Sequence, residues 1–308
     1  MTDITTVASD LQFPEGPVAM PDGSILLVEI KRRTVTRVTP GGKSVVVAQL
    51  DGGPNGLAVG PDGALYICNN GGCFEWHEVM GLTLPGPFNP DLYSGGRIER
   101  LDLDTGEVTT LYTECDGRPL RAPNDLVFDI DGGFWFTDHG TRDGRHTDRT
   151  AIYYAQPDGS SITEVIHPLD SPNGIGLSPA GDRLYAAETH TGRVWSWPIA
   201  GAGTLAEADS TPGGPPGASL LAGLPGMQLL DSLAVDGAGN VCVGTLVNGG
   251  ITVISPDGSS IEHLPMPDVL ATNICFGGDD LTTAYITCSA TGTLVSTPWR
   301  GPGLKLSF

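Results

Sequence analysis

The sequence predicts an all-β protein of six repeated units closed into a six-bladed β-propeller, and three observations carry that reading. A short phrase, Pro14-Glu15-Gly16-Pro17, returns in register at Pro54-Asn55-Gly56, Pro123-Asn124-Asp125, Pro172-Asn173-Gly174, Leu230-Asp231-Ser232 and Thr272-Asn273-Ile274. Successive copies lie 40, 69, 49, 58 and 42 residues apart, and each is followed by an apolar run, a turn and a second apolar run. Units of that size cannot bury their own apolar faces and must stack on their neighbours. The third observation is compositional: Gly 44 and Pro 25 in 308 residues, with no sustained 3.6-residue period, indicate strands joined by tight turns. Residues 1–308 are therefore read as one domain.

Within each repeat the Asp-Gly turns at Asp22-Gly23, Asp62-Gly63 and Asp131-Gly132 join an innermost strand to a second strand. Third strands are expected at residues 34–38, 96–101, 151–154, 192–197 and 250–254. Residues 5–8 resemble the outer strands at 45–48 and 109–112. An N-terminal strand of this kind would complete the C-terminal blade, close the ring and remove two open sheet edges. Residues 301–308 receive no assignment.

A formal net charge of −20 disfavours a nucleic-acid partner. No apolar run approaches the roughly 18 residues of a membrane helix, and no membrane association is expected. The first ten residues lack a basic and then apolar leader pattern, so a cytoplasmic location is expected. Six cysteines without a C-x-x-C pair read as small apolar residues, and Cys68 and Cys73 are close enough in sequence to bridge one loop.

One position is acidic or amidic in every copy: Glu15, Asn55, Asn124, Asn173, Asp231 and Asn273. On adjacent inner strands these side chains converge on the propeller axis. Two carboxylates and four amides make an oxygen-rich site suited to a hard divalent cation. Because the chain turns and returns, the ends of the second strands, including Glu29, Asn69, Asp138 with His139, and Glu188 with His190, are expected to form a second polar tier at the same mouth. Residues 69–95 make a long insertion there, with Phe74, Trp76, His77, Phe88 and Tyr93, and are expected to form a partial lid.

Taken together, Pro14-Glu15-Gly16-Pro17, Pro123-Asn124-Asp125-Leu126-Val127, Phe136-Thr137-Asp138, Pro172-Asn173-Gly174 and Asp231–Asp236 resemble the gluconolactonase, senescence-marker-protein (regucalcin) and luciferin-regenerating-enzyme family of six-bladed propellers. The resemblance implies that Glu15, Asn173 and Asp231 bind a metal, with Asn124 facing metal-bound water or substrate. It also implies one divalent cation, Ca²⁺ first with Mg²⁺, Mn²⁺ or Zn²⁺ as alternatives, and hydrolysis of cyclic esters. Asp231 and Asn124 are the expected catalytic residues, Asp231 as base. Asn55, His139, Glu188, His190 and Trp76 are the expected contacts to a small-molecule lactone or ester. Where sugar-lactone members carry an Arg two residues before the Asn124 position, this chain has Ala122, and Arg121 is expected to point elsewhere, so a simple sugar lactone is not the expected substrate. A phosphotriesterase on the same ring, or a non-catalytic calcium-binding or interaction propeller, are the competing readings.

Overall fold

The computed structural model describes residues 3–308, and among them there is no helix. Six antiparallel blades surround a central channel, five of four strands and the fourth of five, its third strand pairing both Thr204–Leu205 and Ser219–Gly223. Their innermost strands are Pro14–Ala19, Pro54–Val59, Pro123–Phe128, Pro172–Leu177, Leu229–Val235 and Ala271–Gly277. Every third strand expected from the sequence is present, within a residue or two at its start. The Asp-Gly turns lie on one face, with Gly23, Gly63 and Gly132 at φ of 78°, 75° and 87°, a region glycine enters freely.

The ring closes as expected. Thr5–Ala8 pairs antiparallel with Thr293–Pro298, with Thr5 opposite Ser296, so the N-terminus supplies the outer strand of the sixth blade. Apolar layers fill the spaces between blades. Tyr66, Phe128, Phe134 and Phe136 pack in one such layer, and Trp135, Ile175, Leu184 and Trp197 in the next. Separate apolar clusters of this kind recur around the ring, and a strand such as Phe134–Asp138 supplies alternate residues to two of them.

The last residues cross the turn face. Gly237 N donates to Pro302 O at 2.8 Å, Leu304 N to Val235 O at 3.2 Å, and Phe308 packs edge-on against Phe128 of the third blade with ring centroids 5.9 Å apart. This stretch, unassigned from the sequence, therefore runs from the fifth and sixth blades to the third, across the turn-face end of the channel.

The insertion in the second blade is not an irregular loop. Phe74–Val79 and Leu82–Phe88 form an independent two-stranded hairpin. Among the described residues no helix is long and apolar enough to cross a membrane.

Candidate functional site

The repeated phrase creates the same backbone irregularity six times. In every blade the register between the innermost and second strands slips at the phrase: between Glu15 and Val18, Pro54 and Leu57, Pro123 and Leu126, Pro172 and Ile175, Leu230 and Leu233, and Ala271 and Asn273. A bulge re-aims side chains out of the ladder: Asn55, Asn124, Asn173 and Asp231 lie within the slip, while Glu15 and Asn273 stay paired beside it, opposite Val28 and Thr287. The glycine after it is needed for close packing. A Cβ at Gly16, Gly56 or Gly174 would collide with the backbone of the next blade's phrase.

The ring residues are enclosed. Glu15, Asn55, Asn124, Asn173 and Asn273 are buried, and Asp231 is partly exposed. Asn273 Nδ2 donates to Glu15 Oε2 at 3.0 Å, and Gly16 N donates to the same oxygen at 2.9 Å. Asn173 is held by a donation from its Nδ2 to Thr189 Oγ1 at 3.1 Å and one from Ser232 Oγ to its Oδ1 at 3.4 Å. Ser232 N donates to Asp231 Oδ1 at 3.1 Å. Asn124 Oδ1 is buried and has no hydrogen-bond partner, which in a folded interior calls for an explanation.

A third carboxylate, missed in the sequence, belongs to this site. Asp125 occupies the place that is glycine in the first, second and fourth phrases, and it is buried. Leu126 N donates to its Oδ1 at 2.9 Å, and the Ile175 N–H and Ser232 hydroxyl also face it. Burial, and then the Glu15 charge, push its carboxyl up to about 7. Burial raises Glu15 against the pull of the Asn273 amide and the Gly16 N–H. Burial, then Glu15, with Asp125 adding, holds Asp231 well above the usual carboxylate range. Three carboxylates are thus crowded together, the Glu15 charge raising both aspartates. The signal in the sequence was the departure from glycine.

These residues fit a divalent cation. An unpartnered amide oxygen and carboxylates that resist ionising are both satisfied by positive charge at the axis. Among the described residues no three His, Cys, Asp or Glu side chains are grouped to chelate one ion, so a cation here would draw on the amide oxygens as well.

The second tier behaves differently from the sequence expectation. Glu29, Asn69, Asp138 and Glu188 do end their strands at the same face, opposite Pro14, Pro54, Pro123 and Pro172. Their side chains, however, turn into the blade and accept backbone N–H groups from the loop entering it. Gln12 N donates to Glu29 Oε2 at 2.6 Å, Gly53 N to Asn69 Oδ1 at 2.9 Å, Ala122 N to Asp138 Oδ1 at 2.7 Å, and Asp170 N to Glu188 Oε1 at 2.8 Å. Glu188 also accepts from Thr191 Oγ1 at 2.7 Å and Trp195 Nε1 at 3.0 Å. Its carboxylate serves as a clamp on the loop that positions Asn173, because buried N–H groups must be paired.

His139 and His190 do come together at the rim, with ring centroids 5.8 Å apart. Burial lowers His139 to about 4, with His190 and Arg142 adding to the effect. Arg142 is tied to Asp170 at 2.9 Å. Arg121 turns away from the channel, donating to Asp148 at 2.9 Å and lying over Tyr93. Trp76 rests on Phe13, two residues before Glu15, with ring centroids 4.9 Å apart.

Comparison with known proteins agrees with this architecture. The sequence profile of the SMP-30/gluconolactonase/LRE-like region matches residues 13–290. The chain is 26% identical to a gluconolactonase of Zymomonas mobilis over 90% of its own length and 76% of that protein's. It is 26% identical to lactonase drp35 of Staphylococcus epidermidis over 80% of its length and 67% of that protein's. Among solved structures, a gluconolactonase from Xanthomonas campestris superposes with a TM-score of 0.74 at 24% identity, covering 96% of this chain and 89% of the other. A regucalcin from Agrobacterium tumefaciens, described as a calcium-binding protein, superposes with a TM-score of 0.74 at 19% identity, covering 99% and 98%. A luciferin-regenerating enzyme superposes over the full length of both chains with a TM-score of 0.73 at 15% identity. With the profile spanning nearly all of the propeller, the chain belongs to the SMP-30/gluconolactonase/LRE-like family.

Proposed function

We propose that the protein is a divalent-cation-dependent hydrolase of cyclic esters, a lactonase. The observation that carries this reading is the meeting of Glu15, Asp231 and the unpartnered Asn124 Oδ1 at one mouth of the channel. The named lactonases among the relatives support the reaction class. Glu15, Asn173 and Asp231 would hold the cation, and Asn124 would complete the set or orient a bound oxygen. When bound, the cation would polarise an ester carbonyl and acidify water.

The chain's own residues supply the rest. Asp231 is partly exposed whereas Asp125 is buried and faced by three donors, so Asp231 is the carboxylate able to meet a water. A carboxylate beside a cation is ordinarily a weak base. Burial first, then the Glu15 charge with Asp125 adding, raises Asp231 and works against that loss of basicity. Asn173, fixed by Thr189 and Ser232, holds the geometry around it. His139, a neutral imidazole, and His190 offer hydrogen bonds at the rim to a substrate oxygen. All six cysteines are free thiols.

The test is turnover of a panel of sugar, aliphatic and aromatic lactones by chelator-stripped protein re-supplied with Ca²⁺, Mg²⁺, Mn²⁺ or Zn²⁺. Cation-restored hydrolysis supports the proposal. Cation binding with no lactone hydrolysed overturns the lactonase assignment, and absence of cation binding overturns the site.

A further inference from the structure

The site residues Glu15, Asn124 and Asn173 are only 2%, 6% and 4% exposed, yet a substrate has to reach them. The second-blade hairpin lies over their mouth and touches three other blades. Trp76 stacks on Phe13 of the first blade, and Lys31 pairs with Glu78. Thr83 N donates to Ala290 O of the sixth blade at 2.8 Å, and Leu82–Phe88 lies against Arg142–Asp143 of the third.

Two features make this cover movable. Its base enters through Gly71-Gly72 and leaves through Gly95-Gly96, with Gly71, Gly72 and Gly95 at φ of 75°, 75° and 92°. Glycine accepts the changes of φ and ψ that a hinge at either end needs, and the Ser94 N–Gly71 O hydrogen bond at 2.9 Å ties the two ends together so that the hairpin moves as one piece. Its attachments beyond the base are few, and the Lys31–Glu78 pair is solvent-exposed and worth little. The hairpin joins none of the blade sheets. Its inner contacts are aromatic: Phe74 and Trp76 lie 6.4 Å apart, with Trp76 on Phe13. A polyhydroxylated ring would find no hydrogen-bond partner on these ring faces, whereas an alkyl or aryl group would gain apolar contact.

We propose that this hairpin is a hinged lid that opens to admit substrate, and that Trp76 on its underside selects lactones carrying an apolar, alkyl or aryl substituent. The substrate half of this inference rests on the lactonase reading above; the hinge does not.

Hydrogen exchange tests the hinge without any substrate. Amides of residues 74–88 should exchange as one unit, on the order of 100-fold faster than those of the blade strands. A Thr83→Cys, Ala290→Cys double variant, oxidised so that a thiol assay confirms the bridge, should lose turnover and regain wild-type turnover on reduction. Trp76→Ala should lower kcat/KM about 10-fold or more for an aryl lactone relative to an unsubstituted one. Exchange as slow as in the blades, or a bridged protein as active as the reduced one, overturns the lid. An unchanged substrate ratio in Trp76→Ala overturns the selection. Fast hairpin exchange in a protein inactive on every lactone would uphold the hinge and count against the lactonase reading alone.

Discussion

Asn273 Nδ2 reaches Glu15 Oε2 at 3.0 Å across the seam where the last blade meets the first. The chain's two ends thus cooperate to orient the carboxylate that anchors one side of the candidate cation site. Asn273 acts here by holding Glu15. Asn273→Ala is therefore expected to weaken cation binding about 10- to 100-fold, as loss of an outer hydrogen-bond partner does, while Glu15→Gln abolishes it. Calorimetric titration of the chelated proteins with Ca²⁺ checks both.

The crowded carboxylates make cation binding and pH interdependent. Asp125 holds its proton up to about 7 in the fold, against 3.8 for an ordinary aspartate. Without a cation, its contribution to stability is full below pH 3.8 and is lost as pH rises through 7. A cation favours the ionised forms, so its stabilising effect should grow over the same interval. Thermal melts between pH 5 and 8, with and without Ca²⁺, should show the two curves diverging as pH rises. Asp125→Asn should reduce the divergence.

Asp231→Asn removes the proposed base while keeping the side chain's shape. A drop in kcat of about 10²- to 10⁴-fold is expected, measured at saturating cation so that weakened binding does not mask the effect. A variant within a factor of two of wild type would move the base elsewhere.

Glu188 separates a clamp from a substrate contact. Its carboxylate accepts three hydrogen bonds inside the fourth blade. Glu188→Ala is expected to cost about 3 kcal/mol of stability in denaturant titrations, with KM of the remaining folded protein unchanged. A raised KM at unchanged stability would return Glu188 to the substrate.

Much of the fold was legible because one phrase recurs and each copy is followed by an apolar run, a turn and another apolar run. The polar ring was legible for the same reason: register places one polar residue of each inner strand in or beside the slip. Register does not fix where a side chain turns. Glu188 and Asp138 stand at the expected face, but nearby loop N–H groups compete for them, and no sequence pattern announces that competition. Asp125 was hidden because its neighbours in the other repeats are mostly glycine, a position read as backbone. The lid hairpin was hidden by Pro85 and Pro87 in one strand and by a Met80-Gly81 turn in place of Asn-Gly.

The pairing of Thr5–Ala8 with Thr293–Pro298 sets an order of events in the life of the molecule. The first strand finds its partner only far along the sequence, Thr5 at Ser296. Until then it remains an unpaired edge, and the sixth blade lacks its outer strand. The seam and the Asn273–Glu15 contact across it therefore form through contacts of very long sequence separation, which are slow to close. The candidate cation site would be completed only in that late step, when the circle is joined.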